Sequence, residues 1–142
     1  MSEAVVMDND GEEPTNYVVS RADEPNFVEG RRNFFEYIDL GTQEASEGKI
    51  RIQVTRAKQG LVEPTGWHRH ICEGQFVYML DGYLDLAFAD GTVRLEAGDS
   101  IYIPGGMAHN ETGTSDMFNL IEISIPAKMD TVPCDPPPGM PA

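Results

Sequence analysis

Between residues 16 and 128 the apolar positions fall in short runs of β-branched, aromatic and aliphatic side chains broken by glycine, with no long stretch of period 3.6. The pattern predicts strands over 17–20, 34–39, 49–57, 75–80, 83–89, 92–96, 100–103 and 118–125. In 50–55 the alternation Ile-Arg-Ile-Gln-Val-Thr is clean, so one face is expected to be buried and the other to carry Arg51, Gln53 and Thr55. Asp90-Gly91 between two strand patterns predicts a hairpin, because both central positions of the favoured tight turn need positive φ. Asp81-Gly82 and Gly98-Asp99 punctuate the chain in the same way. Many short strands at close spacing point to an all-β sandwich or barrel.

The ends read differently. Residues 1–15 carry Glu3, Asp8, Asp10, Glu12 and Glu13 with no Lys or Arg and no apolar period, the composition of an acidic, disordered tail. Residues 129–142 are proline-rich, with Pro133, Pro136, Pro137 and Pro138, which excludes a central strand or a helix interior and predicts a second, extended tail. One domain over 16–128 is therefore expected, in keeping with a length of 142 residues. Ten Lys and Arg against 24 Asp and Glu give a formal charge of −14, which would repel a phosphate backbone and an anionic bilayer alike. Nucleic acid and membrane are accordingly not expected as partners. Two cysteines, Cys72 and Cys134, make no disulfide framework, no leader pattern opens the chain, and no apolar run reaches spanning length. A cytoplasmic location is expected.

The chemistry concentrates in three histidines: His68 and His70 in Gly66-Trp67-His68-Arg69-His70, and His109 after Pro104-Gly105-Gly106-Met107-Ala108. If 66–70 is extended, His68 and His70 project from one face and Arg69 from the other, so one cation can meet both imidazoles. The surroundings resemble the two motifs of the cupin family. His-x-His is followed here by Ile71-Cys72-Glu73-Gly74-Gln75 and, six residues after Gln75, Gly82; the second motif matches Gly98, Pro104-Gly105-Gly106 and His109. Gly113 stands where an Asn usually follows, a position that holds no metal. The resemblance spans roughly residues 33 to 126 and implies an antiparallel jelly-roll barrel, flanked by flexible tails, with a metal inside.

The main departure from the family pattern lies at its carboxylate position, where Gln75 stands in place of Glu. Gln75 is expected as fourth ligand beside His68, His70 and His109; Glu73, two residues earlier, is the alternative, as is a site with no fourth protein ligand. Three imidazoles and an amide leave a divalent ion its full +2 charge, which favours an anionic ligand. The resemblance implies one divalent transition-metal ion per chain, Fe(II) or Mn(II) ahead of Zn(II), Ni(II) or Co(II). It also implies an enzyme acting on a small anionic organic substrate: a dioxygenase first, a redox-inert Lewis-acid lyase, isomerase or cyclase second. A non-catalytic metabolite-binding protein is the reading from another class, and a homodimer is expected, as in many cupins.

The remaining candidates have plainer readings. Cys72 is expected to be a partly buried side chain rather than a ligand, and Tyr78, Tyr83 and Tyr102 to pack as strand residues. Arg51 and Arg56 are expected on a solvated outer face, with an anion clamp as the alternative if that face lines the barrel. Met79 and Met107 are candidate pocket fillers. No nucleophile elbow, phosphate loop or Cys-x-x-Cys pair is present, which leaves hydrolase triads and nucleotide-dependent transfer without support.

Overall fold

The computed structural model describes residues 16–142, so the acidic segment 1–15 lies outside the described residues. Eleven strands and one short helix follow in order: β1 (Phe27–Val28), β2 (Phe35–Asp39), α1 (Thr42–Ala45), β3 (Arg51–Ala57), β4 (His68–Ile71), β5 (Gly74–Asp81), β6 (Leu84–Phe88), β7 (Gly91–Leu95), β8 (Ser100–Pro104), β9 (Asn110–Thr114), β10 (Phe118–Ile125) and β11 (Asp130–Pro133). A six-stranded sheet in the order β1-β2-β3-β10-β5-β8 faces a three-stranded sheet β7-β6-β9 and a two-stranded sheet β11-β4. Every pairing is antiparallel, and a bridge between His68 and His109 joins β4 to the start of β9. This is the jelly-roll barrel that the strand pattern and the histidine motifs predict. Among the described residues no helix is long and apolar enough to cross a membrane.

One core fills the closed end. Val77 and Met79 of β5, Leu84, Leu86 and Phe88 of β6, Leu95 of β7, Ile103 of β8, Phe118 and Leu120 of β10 and Ala57 of β3 are buried together, with Phe35 and Ile101 packed against them. Each such side chain stabilises the fold by about 1.5–3 kcal/mol relative to leaving it in water. Phe35 and Phe118 meet edge to face, with ring centroids 5.1 Å apart, which seals β2 over β10.

Several expectations are corrected. Residues 17–20 form no strand and lie exposed: their β-branched side chains meet no partner strand. The hairpin at 88–91 exists, but its central residues are Ala89 and Asp90; Phe88 pairs with Gly91, and the positive φ, 142°, falls on Gly91. On β3 the inward face is the polar one. Gln53, Thr55 and Ala57 are buried, and Arg51 shares their side of the strand, whereas Arg56 points outward and pairs with Glu36 at 2.9 Å. Alternation locates two faces but does not say which is inside, and a barrel with a polar cavity reverses the usual choice. Finally, 129–142 is no loose appendage. Asp130–Pro133 pairs with the histidine strand β4, Cys134 N donates to Trp67 O, and Trp67 Nε1 donates to Pro141 O at 2.8 Å. Its prolines are tolerated because β11 is an edge strand that ends at Pro133.

Candidate metal centre

Alternation on β4 turns His68 and His70 inward and Arg69 and Ile71 outward. His109 arrives from the other motif, its main chain bonded both ways to His68: His68 N to His109 O and His109 N to His68 O, each 3.0 Å. The Pro104-Gly105-Gly106 turn makes this approach feasible, because a Cβ on Gly105 would collide with the carbonyl of Cys72. Gly106 N then donates to His70 O. All three rings are buried, with centroids 4.4–5.0 Å apart, and one ligand nitrogen from each lies within 4.8 Å of the others.

The hydrogen bonds fix which nitrogen is free. His68 Nδ1 lies 2.7 Å from Gly66 O, and His109 Nδ1 lies 3.0 Å from Met107 O. A carbonyl can only accept, so in the neutral rings Nδ1 carries the proton and Nε2 the lone pair. His70 Nδ1 is met by Thr131 Oγ1 at 3.0 Å, a contact supplied by β11. The three Nε2 atoms have no hydrogen-bond partner at all. Burial, reinforced by the neighbouring imidazoles, pushes His70 down to about 4, and burial likewise lowers His109, so both rings are neutral near pH 7. Three buried, converging imidazole Nε2 atoms without hydrogen-bond partners fit a divalent transition metal, with each ring's other nitrogen anchored as metal-binding histidines require.

His70 forms part of the wall of a cavity of about 270 Å³. Gln75, Glu111, Glu122, Arg51 and Thr131 also line it, above an apolar floor that includes Val77, Leu84, Leu86, Phe118 and Leu120. Gln75 is buried in this wall, which it shares with Glu122. Glu73 sits exposed in the turn before β5 and does not line the cavity. Burial raises the Glu122 carboxyl above its ordinary range despite Arg51 nearby, whose Nη2 lies 3.9 Å from Glu122 Oε1. Arg51 Nη1 donates to Gln53 Oε1 at 2.9 Å and Nη2 to Ser124 Oγ at 3.2 Å, which fixes the guanidinium in the wall. Thr55 Oγ1, also in the wall, is buried without a partner.

Other candidates fall outside this wall. Tyr78 and Tyr102 are exposed, and Tyr83 lies under Arg94, whose guanidinium carbon is 3.8 Å from the ring centroid. Burial pushes the Cys72 thiol up, which disfavours a reactive thiolate. Met79 belongs to the core, Met107 is exposed, and Met129 is the methionine that lines the cavity. Sequence reasoning missed four residues that line the cavity, Tyr37, Thr131, Glu122 and Glu111. The last had a usable signal, since it follows His109 by two residues, the spacing that sets His68 and His70 on one face.

A family model described as "Cupin domain" matches residues 53–124, just over half of the chain. The chain belongs to the cupin family. Among curated proteins none matches the sequence. Among solved structures, this cupin is similar to a predicted oxalate decarboxylase from Thermotoga maritima, with a TM-score of 0.61 and 23% identity over 75% of this chain and 97% of that one. It is also similar to an RmlC-like cupin from Shewanella frigidimarina, with a TM-score of 0.61 and 19% identity over 81% of this chain and 96% of that one. A salicylate 1,2-dioxygenase from Pseudaminobacter salicylatoxidans superposes with a TM-score of 0.55 and 17% identity over 70% of this chain, which spans 30% of that protein. At these identities the likeness is one of fold.

Proposed function

We propose that this cupin is a mononuclear metalloenzyme acting on a small anionic organic substrate, with His68, His70, His109 and Gln75 as ligands, and that it is a dioxygenase. The observation that carries the reading is the convergence of three buried Nε2 atoms that lack a hydrogen-bond partner beside a cavity of about 270 Å³. A bound Fe(II) or Mn(II) would supply Lewis acidity and, with oxygen as co-substrate, redox chemistry. The chain's own residues supply the rest. Arg51 sits within the wall, and Arg31 and Arg32 lie at the same cavity, so a carboxylate or enolate has cationic partners. The Thr55 hydroxyl offers a hydrogen bond, and the apolar floor excludes water from the organic body of the substrate. A salicylate 1,2-dioxygenase among the structural neighbours agrees with this choice of chemistry.

A redox-inert lyase or isomerase is the second reading, favoured by Glu122. A carboxyl held above its ordinary range and facing the cavity can carry a proton between substrate atoms, which a lyase or isomerase needs. The experiment that separates the readings is turnover of small hydroxylated or keto acids by Fe(II)-loaded and Zn(II)-loaded protein, with and without oxygen. Product only with Fe(II) and oxygen supports the dioxygenase. Product with either metal and no oxygen supports the Lewis-acid branch, and saturable binding without product leaves a metabolite-binding protein.

The setting proposed for this chemistry is a cytoplasmic homodimer. Cys72 and Cys134 are both free thiols, as a reducing compartment allows. On the outer face of the six-stranded sheet Val54, Ile121 and Tyr78 lie side by side across three strands, an apolar band suited to a second copy. Sedimentation of the wild type against Val54→Lys tests the dimer: a mass of two chains that falls to one in the variant supports it.

A further inference from the structure

Resting on the metalloprotein reading above, we propose that Glu111 is a direct ligand of the ion, restoring from β9 the carboxylate that the first motif loses at Gln75. Glu111 Oε2 lies 3.3 Å from His68 Nε2. Two ligand atoms each about 2.1 Å from one ion, at tetrahedral to octahedral angles, are about 3.0–3.4 Å apart. The spacing is that of neighbouring positions on one coordination shell.

A cation between these two atoms would satisfy both. His68 Nδ1 is engaged by the Gly66 carbonyl, so Nε2 of the neutral ring presents a lone pair, and a carboxylate oxygen presents another. Two acceptors at 3.3 Å repel unless a positive charge lies beside both. The pair lies at 3.3 Å without hydrogen-bond geometry. A metal ion satisfies both atoms without that geometry.

The side chain is held for the task. Thr65 Oγ1 donates to Glu111 Oε2 at 2.6 Å, and Glu111 N in turn donates to Thr65 Oγ1 at 3.2 Å, while Thr65 N donates to Glu111 O. The side chain remains 24% exposed, open to the cavity and to an arriving ion. With Glu111 in the shell a divalent ion carries a net +1 rather than +2, as if the motif-one Glu were present.

Co(II) serves as probe. Competition against a chelator should show the wild type binding one Co(II) per chain and Glu111→Gln binding it at least tenfold more weakly, with shifted visible bands. Glutamine keeps the acceptor for Thr65, so the metal-free variant should match the wild type in circular dichroism. Adding Gln75→Glu to Glu111→Gln should recover affinity, since the charge is returned from the other side. As a measurement needing no variant, infrared difference spectra of the wild type with and without Co(II) should show a carboxylate stretch moving on metal binding. Wild-type affinity and an identical spectrum in Glu111→Gln, or no carboxylate change in the infrared, would overturn the ligand assignment and leave the three-histidine site standing. A wild type that binds no Co(II) would overturn the metalloprotein reading itself.

Discussion

Along β3, β5 and β10 the inward side chains change character halfway, and the two ends of the barrel interior are built on opposite principles. At one end Ala57, Met79, Phe118 and Leu120 meet Leu84, Leu86 and Phe88 in a dry apolar core. Further along the same faces stand Thr55, Gln53 and Arg51 on β3, Gln75 on β5, and Glu122 and Ser124 on β10. The register pairs Leu120 with Thr55 and Met79, then Glu122 with Gln53 and Val77, then Ser124 with Arg51 and Gln75, so the transition runs diagonally across the sheet, starting at Thr55 on β3, Glu122 on β10 and Gln75 on β5. The apolar end contributes stability through burial. At the polar end, placing neutral imidazoles with unpartnered nitrogens in the interior costs stability, and a ligand must offset that cost. The fold is held at one end so that the other can remain unsatisfied until it binds.

The comparison predicts which substitutions break which end. The largest effect on stability is expected at the closed end: Leu86→Ala or Met79→Ala should destabilise the metal-free protein by about 2–5 kcal/mol in urea unfolding. Metal affinity of the folded fraction should be unchanged. A second prediction concerns pH. His70 is held at about 4 in the fold, against 6.5 when unfolded, and His109 is lowered too. Between these values the unfolded chain takes up protons that the folded chain refuses, so metal-free protein should lose stability steadily as pH falls from about 6.5 to about 4. His70→Ala should flatten that slope in thermal melts followed across the range.

Smaller effects sharpen the polar end. Thr131→Val removes the contact that orients His70 from the C-terminal strand, and Co(II) affinity should fall about tenfold by chelator competition while secondary structure is kept. Deleting residues 134–142 should act through the same strand, since Cys134 and Pro141 tie it to Trp67. The smallest change in stability is expected for Arg51→Gln, which keeps a polar partner for Ser124. Binding of a 2-hydroxy acid, followed through the Co(II) spectrum, should nevertheless weaken about tenfold.

How legible each region was in the sequence follows from the same contrast. The strands at 51–57, 74–81 and 118–125 were readable because their apolar residues alternate or run between glycines. The shared face of His68 and His70 followed from a period of two. Strands β9 and β11 were not readable: Asn-Glu-Thr-Gly-Thr and Asp-Thr-Val-Pro have little intrinsic preference for extension, and pairing with β6 and β4 makes them strands. The inward face of β3 was misjudged because polar side chains usually face water, whereas here they face a cavity. Glu111 lies outside the first motif, and only folding brings β9 against the histidine strand.

Elemental analysis of untagged protein tests the central claim most directly, since the three unpartnered imidazole nitrogens are its foundation. The wild type should carry about one divalent transition-metal ion per chain, and His109→Ala less than about a tenth of that, because removing one of three imidazoles leaves His68, His70 and the oxygen donors Gln75 and Glu111 a much weaker shell. Wild-type protein free of metal after loading with Fe(II), Mn(II), Co(II) and Zn(II) in turn, or full occupancy in His109→Ala, would contradict the account.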